Sequence, residues 1–577
     1  MLIFLCIFLL LGWELWVLQI DQGAYHKDLA LKNCIRTVLL PAPRGRILDR
    51  TGEVLADSRP RFDLVVTQED VDSIGSVAKI LSLILDISKK DIVKKILDRT
   101  SHLPYEPSIL VTDLPLEKVM RVSENLYRLS GIALRTVPVR HYTEGALACH
   151  LLGYTGKIPK NQMDMYIAKN YNPNDQIGRT GVEKSFEAIL RGTSGGQQIQ
   201  VNSRGHLDQI LGEEPAIPGS DIYLTLDKKI QDVLEKAYGD YFGAAVVLEV
   251  ASGDVLALMS RPGFDPNDFV ANNNKKISSY FQDLNFPLLN KAISSEFAPG
   301  SIFKPIVVLA GLKSGNITDK TSVRCIGKFT LGKTTFKCWK EWGHEEVDIW
   351  KSLEQSCNVF YYILGKEMGY APIAEMSKAF HLGLPTGIPL SSEKSGLVPT
   401  PEWKKKHFKN PDMQRWQLGD TINFSIGQGL LLVTPIQMAC VTAAIASRGT
   451  FPKPNLLLDT ENYKAPLLEK KQIFSQIPLT SKDIEWVRLG MFNVVNARYG
   501  TGRLASLKGI SAAGKTGTAQ VRNKKGEFKN TWFICFAPFE APKIAMAILV
   551  EKGTSGGECA APIAKKIMAS YFNLPIE

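Results

Sequence analysis

The chain has 577 residues, too many for one ordinary hydrophobic core, so two or three domains are expected. An apolar share of 45% and a charged share of 22% are those of a globular protein, which excludes both a disordered chain and a polytopic membrane protein. The formal charge of +11 is spread along the sequence and comes with no nucleic-acid module; it reads as a solvated basic surface, with attraction to anionic lipid or polymer as the alternative and nucleic acid disfavoured.

Leu2 to Ile20 carries a single charge, Glu14, and is about as long as a bilayer crossing requires. No small-x-small cleavage site follows it, so residues 1–20 read as an uncleaved transmembrane anchor. Lys27, Lys32 and Arg36 follow the span, so the distribution of basic residues does not set its orientation. No second apolar run of this length exists, and one span holds one large soluble body.

Thr37 to Pro41 reads as a short strand. Gly45 and Gly52 mark turns around the Arg46–Arg50 segment, before Val54-Leu55-Ala56. Residues from about 60 to 175 mix a strand (Phe62 to Thr67) with amphipathic helices (Val71 to Asp86, Lys90 to Leu97) and carry no catalytic constellation. Pro and Gly around Pro215 to Asp221, then a strand at Ile222 to Leu226, mark a boundary. They divide the soluble body into an N-terminal domain, 21–214, and a C-terminal domain, 215–577.

Beyond Gly243 the texture changes. Ala244 to Val250 and Val255 to Met259 form a hairpin across a Ser252-Gly253 turn. A helical region follows from about 290 to 445, then strands at Gly509 to Val521, Trp532 to Ala537 and Lys543 to Val550, and a helix at Ala560 to Tyr571. Helices enclosed by early and late strands predict an α/β (α+β) domain whose sheet joins distant parts of the chain.

Three short motifs carry chemistry. Ser301 and Lys304, in Ala298-Pro-Gly-Ser-Ile-Phe-Lys-Pro305, open an apolar helix through Leu312 and share one face a turn apart. A neutral amine there accepts the hydroxyl proton, and a helix N-terminus favours developing negative charge. Ser356-Cys357-Asn358 offers a hydroxyl and an amide for proton relay and substrate binding; in isolation it reads as a polar helix end. Lys-[Ser/Thr]-Gly occurs at Lys313, Lys394 and Lys515. The first closes the Ser301 helix and the second lies in a loop. Only Lys515-Thr516-Gly517-Thr518 lies in a small-residue strand, along which a substrate backbone can lie as an added strand.

S-x-x-K, S-x-N and K-T-G, in that order on helix, helix and strand, form the motif set of class A β-lactamases and penicillin-binding proteins. The chain resembles the class B penicillin-binding proteins over nearly its whole length. Pro43 to Ala56 is similar to their N-terminal segment. Gly178 to Lys184 and Ser203-Arg204-Gly205 look like the linker of their pedestal, and Asp420 to Gln437 is similar to their transpeptidase domain. Trp339 to His344 is closest to the elongation-type penicillin-binding protein 2; a division-type relative, a β-lactamase or a non-catalytic scaffold are the other readings.

The resemblance implies a peptidoglycan D,D-transpeptidase, with some D,D-carboxypeptidase (hydrolase) activity, on an elongated pedestal at the inner membrane, its catalytic domain in the periplasm. Ser301 would attack the D-Ala-D-Ala carbonyl of a stem peptide, and Lys304 would act as base. Ser356 and Asn358 would pass protons and hold substrate. Lys515, Thr516 and Thr518 of the Lys515-Thr516-Gly517-Thr518 strand would bind the terminal carboxylate. The N–H groups of Ser301 and Thr518 would form the oxyanion hole. β-Lactams would trap the same serine, and a SEDS-family glycosyltransferase would be the membrane partner. Burial and the neighbouring Lys515 cation are expected to keep Lys304 neutral.

Three of the nine cysteines, Cys325, Cys338 and Cys357, fall close together with His344 between them. Three thiolates and an imidazole complete a tetrahedral zinc shell; a Cys325–Cys338 disulfide and free thiols are the alternatives. Some elongation-type relatives carry zinc beside the active site on two carboxylates, a histidine and a cysteine. Cys338, His344 and Cys357 match these in spacing and Cys325 falls near the first. The zinc would be structural, tethering a loop to the helix bearing Ser356. Cys6, Cys34, Cys149, Cys440, Cys535 and Cys559 belong to no motif and are expected to be buried.

Overall fold

The structure, a computed structural model, describes residues 2–26, 35–98, 107–173, 175–201, 207–458, 475–523 and 526–575. Lys27, Lys32, Cys34 and the Ser203-Arg204-Gly205 segment lie outside the described residues, as does the side chain of Cys6. Helix α1 (Leu2–Trp16) continues as a wider turn over Val17–Asp21, and Ile3–Asp21 is long and apolar enough to cross a membrane.

The chain forms two compact units, each assembled from separated stretches. One holds 1–46, 56–141 and 188–221; the other holds 47–55, 142–187 and 222–577. The sequence suggested a single cut, but local chemistry ties 47–55 and 142–187 to the larger unit. There the buried Asp49 accepts from the Lys228 backbone N–H at 3.1 Å, and Lys228 Nζ pairs with Glu53 at 2.9 Å and Glu144 at 2.8 Å.

In the first unit come β1 (Ile35–Leu40), β2 (Val54–Val66), α2 (Ile74–Leu85), α3 (Lys89–Ile96), β3 (Ser108–Val111), α4 (Leu116–Asn125), β4 (Ile132–Tyr142), β5 (Gly195–Val201) and β6 (Leu207–Glu214). Strands β1, β5 and β6 form an antiparallel sheet, and β2 pairs with β3 and β4. The apolar stripe of α2 (Val77, Leu81, Ile84, Leu85) packs with Ile92 and Ile96 of α3, Val119 and Val122 of α4, and Leu64 and Val66 of β2. Helix α2 starts at Ile74, not Val71, because Gln68–Asp70 closes a tight 3-10 turn and Ser73 is extended.

The larger unit contains α5 (Lys228–Tyr238), β7 (Gly243–Glu249), β8 (Val255–Arg261), α6 (Lys304–Lys313), β9 (Val323–Cys325), β10 (Lys328–Leu331), β11 (Thr334–Lys337), β12 (Glu345–Val347), α7 (Ile349–Glu354), α8 (Asn358–Met368), α9 (Pro435–Ala446), β13 (Ala513–Asn523), β14 (Gly526–Ala537), β15 (Ile544–Val550) and α10 (Ala561–Tyr571). Its antiparallel sheet runs β8-β7-β15-β14-β13, so β7 is paired across some three hundred residues to β15 and β13 is left at the edge. Alternate side chains of the inner strands (Ala245, Val247, Phe533, Cys535, Met546, Ile548) share a core with Ile230 and Leu234 of α5 and Ile563 and Ile567 of α10. The opposite face meets α9, which is buried on every side and is started by a Thr434–Gln437 capping box. The region from 290 to 445 is not purely helical. Strands β9 to β12 interrupt it, and β10 and β11 form a hairpin because Gly332, at φ +56°, turns the alternating Lys-Phe-Thr-Leu back on Thr-Thr-Phe-Lys.

Candidate active site

Ser301 sits in a single 3-10 turn, Gly300–Phe303, that runs into α6. Every residue from Ile302 to Ala310 is buried, so the apolar sequence fixes the turn from inside. Gly300, at φ +58°, is required there: a Cβ would lie 2.7 Å from the Thr518 carbonyl oxygen on β13. A strand residue presents N–H and C=O along the same edge, so the Thr518 N–H also faces the nucleophile turn. Gly517 packs equally closely, with Ile302 Cγ2 2.9 Å and the Pro299 oxygen 3.0 Å from where a Cβ would stand.

Lys304 is fully buried. Its Nζ reaches the Ser356 carbonyl oxygen at 2.9 Å, Ser356 Oγ at 3.2 Å and Asn358 Oδ1 at 2.8 Å, and stands 4.9 Å from the centre of the Tyr361 ring. Two of these oxygens only accept, whereas the hydroxyl can also donate. A neutral amine therefore gives its two hydrogens to the Ser356 carbonyl and Asn358, leaving its lone pair for a hydroxyl. Burial moves the Lys304 ammonium down to about 8, against the upward pull of the Cys357 and Cys338 sulfurs. Lys515, also fully buried, lies well below its ordinary range, first through burial and then through repulsion from Lys304. Burial, not the Lys515 cation, is thus what lowers Lys304.

Ser356 and Cys357 occupy the turn between α7 and α8, not the helix expected from the sequence, and Ser356 is held in the left-handed region at φ +54°. Three successive carbonyls of this turn are each tied to a different part of the chain. Glu354 O accepts from the N–H and hydroxyl of Thr501, both at 3.3 Å; Gln355 O accepts from Trp339 Nε1 at 2.9 Å; Ser356 O accepts from Lys304. On β13, Lys515 Nζ donates to Thr516 O at 3.0 Å and Thr516 Oγ1 donates to Thr501 Oγ1 at 2.8 Å. Thr501 belongs to none of the sequence motifs, and Trp339 opens the Trp339–His344 segment with no role assigned to it from the sequence; a Gly-Thr-Gly at 500–502 is the signal that could have pointed to Thr501. The other two Lys-Ser-Gly sequences are structural. Ser314 caps α6 ahead of Gly315, and Ser395 gives its carbonyl to Gln437 at 2.7 Å.

Cys325, Cys338, His344 and Cys357 are all buried, and their ligand atoms lie within 4.8 Å of one another. His344 Nδ1 is 3.5 Å from Cys325 Sγ and 3.6 Å from Cys338 Sγ. A tetrahedral zinc at its usual distances from sulfur and nitrogen sets such a pair about 3.6 Å apart, so the residues fit that ion. All three thiols are free. Cys338 Sγ also accepts from the Asn358 N–H at 3.4 Å, which joins this cluster to the start of α8. Among the cysteines outside it, Cys149, Cys440, Cys535 and Cys559 are buried as expected.

Three segments distant in the chain thus supply one acyl-transfer site of the serine type. Residues 243–569 match the penicillin binding protein transpeptidase domain and 39–224 the penicillin-binding protein dimerisation domain. The peptidoglycan D,D-transpeptidase MrdA of Haemophilus influenzae is 33% identical, over 99% of this chain and 91% of that protein. The penicillin-binding protein PBP2 of Helicobacter pylori, solved in complex with MreC, superposes with a TM-score of 0.79 at 27% identity, covering 93% of this chain and 99% of that one. A chain of a peptidoglycan synthase complex gives 0.75 at 28%, covering 100% and 98%. The chain belongs to the penicillin-binding protein family, in its elongation-type penicillin-binding protein 2 branch, and is a serine-type transpeptidase.

Proposed function

We propose that this chain cross-links peptidoglycan stem peptides during wall elongation and maintenance of cell shape, through an acyl-enzyme on Ser301. Lys304, neutral, takes the Ser301 hydroxyl proton as Oγ bonds to the penultimate D-Ala carbonyl carbon. The proton passes by way of Ser356 to the nitrogen of the terminal D-Ala, whose C–N bond breaks. An acceptor amine then attacks the ester, the C–Oγ bond breaks, and the amine's proton returns to Ser301. Water in the amine's place gives carboxypeptidase release. The Ser301 and Thr518 N–H groups hold the oxyanion, Asn358 holds the donor amide, and Lys515, Thr516 and Thr518 hold the terminal carboxylate. A β-lactam enters the same path, and its leaving nitrogen stays tethered.

The observation that carries this reading is the contact of the buried Lys304 amine with Ser356 Oγ and Asn358 Oδ1. Labelling with a fluorescent penicillin, followed by mapping of the modified peptide, tests it. Label on Ser301 that is lost in Ser301→Ala and deacylates slowly is expected. Rapid turnover would mark a β-lactamase, and no labelling a scaffold.

Cys325, Cys338, His344 and Cys357 would hold a structural zinc that fastens the Trp339 loop to the start of α8. The Ile3–Asp21 helix would anchor the chain in the inner membrane with its catalytic unit in the periplasm. The kinship to a peptidoglycan synthase complex and to a PBP2 solved with MreC supports a SEDS-family glycosyltransferase and an MreC-like protein as partners.

A further inference from the structure

Resting on the reading that Thr516 binds the donor's terminal carboxylate, we propose that Thr501 is a positioning residue whose hydroxyl turns the Thr516 hydroxyl toward that carboxylate. Thr516 Oγ1 donates to Thr501 Oγ1 at 2.8 Å, and the Thr501 hydroxyl donates onward to Glu354 O at 3.3 Å. A hydroxyl has one hydrogen. In this chain of bonds Thr516 has spent its hydrogen on Thr501, and would meet a carboxylate with lone pairs alone, which repel it.

The chain can reverse at no cost in paired groups. Glu354 O also accepts the Thr501 backbone N–H at 3.3 Å, so the Thr501 hydroxyl can leave it without orphaning a buried acceptor. The Thr501 hydrogen then swings to Thr516 Oγ1, and the Thr516 hydrogen is released to the carboxylate. Only two O–H bonds rotate and no proton changes owner. The backbone of Thr501 is held still for this: a Cβ on Gly557 would lie 2.4 Å from the Thr501 carbonyl oxygen, so the two chains are already in close contact. Thr501 thus couples the Ser356 turn to the Lys515 strand through two rotatable hydroxyls.

Thr501→Val keeps the shape and removes the hydroxyl; Thr501→Ser keeps the hydroxyl. The test uses the full chain in detergent and compares the second-order rate of Ser301 acylation by a penicillin with that by its methyl ester. Loss of one hydrogen bond to a charged group lowers the free-acid rate about tenfold in the valine variant. The ester rate should change less than about twofold, with the serine variant matching the unaltered protein on both probes. Equal falls with acid and ester would mark a merely structural residue and overturn the relay, as would a free-acid rate that the valine leaves unmoved. In either case label on Ser301 leaves the catalytic reading standing. An unaltered protein that does not distinguish acid from ester would remove the carboxylate site and the relay together.

Discussion

Lys304 Nζ and the Ser356 carbonyl oxygen are 2.9 Å apart, and the residue offering that oxygen is a serine at φ +54°. A non-glycine residue in the left-handed region costs about 1–3 kcal/mol and persists where its surroundings over-determine it. Here they do: Thr501, Trp339 and Lys304 each take one of the three consecutive carbonyls from Glu354 to Ser356. The strained turn aims both the carbonyl and the hydroxyl of one residue at the catalytic amine, which an unstrained extension of α7 could not do.

Ser356→Gly should therefore separate stability from activity. Glycine accepts the left-handed backbone freely, although it adds some unfolded-state entropy. The net expectation is a folded state more stable by about 1 kcal/mol, seen as a higher Tm. Penicillin acylation should fall by about a hundredfold or more, because the hydroxyl that carries the proton from Lys304 to the leaving nitrogen is gone. A variant that acylates normally would show that the hydroxyl has no part in proton transfer.

The position of Lys304 gives a pH dependence with a definite sign. Its ammonium titrates at about 8 and only the neutral amine is a base, so the acylation rate should climb about tenfold per pH unit below that value and level off above it. Lys304→Arg, whose guanidinium stays protonated, should acylate about a thousandfold more slowly at every pH in the range. Stopped-flow measurement with a chromogenic β-lactam from pH 6 to about 9.5 reads both effects. A flat profile in the unaltered protein contradicts the assignment of the base.

Much of this was legible in the residues. The apolar runs that became β7, β8 and β15 read as buried strands because a strand covered on both faces needs side chains of one kind on each. The motif residues were legible because chemistry constrains their side chains. The short hairpin at Lys328–Lys337 was not, since strands of four residues are too short to give a clear periodic signal. Thr501, and the role of Trp339 within the Trp339–His344 segment, were hidden for another reason. They grip backbone carbonyls, which every sequence supplies, so nothing at Glu354 or Gln355 announces a partner far along the chain. The left-handed turn at Ser356 was likewise invisible, because serine has no preference for it.

Gly517→Ala tests the closeness of β13 to the nucleophile turn. Its methyl group would stand 2.9 Å from Ile302 Cγ2 and 3.0 Å from the Pro299 oxygen, and the backbone oxygen cannot swing aside. Either β13 or the Gly300–Phe303 turn has to move by a few tenths of an ångström, which disturbs the spacing of the Ser301 and Thr518 N–H groups. Acylation should slow by about a hundredfold, the scale of one lost oxyanion donor, while circular dichroism stays unchanged. Unimpaired acylation would place the oxyanion donors elsewhere.

The cluster of Cys325, Cys338, His344 and Cys357 makes a prediction with a direct chemical readout. Its four ligand atoms lie within 4.8 Å of one another, the two His344 Nδ1–sulfur distances match a tetrahedral zinc shell, and two of its members flank the site: Cys357 lies between Ser356 and Asn358, and Cys338 accepts the Asn358 N–H. Elemental analysis of the purified chain should find zinc at about one ion per molecule. Removal by a strong chelator should lower Tm by on the order of 5 °C, through loss of the tie between the Trp339 loop and α8. Cys325→Ser, which touches none of the catalytic side chains, should lose the metal and show the same fall in Tm before any chelator is added. Protein free of metal, with thiols that become titratable only after reduction, would mean that the same sulfurs are instead joined as a disulfide. The loop would then be pinned by a covalent bond, and chelator would leave Tm where it was.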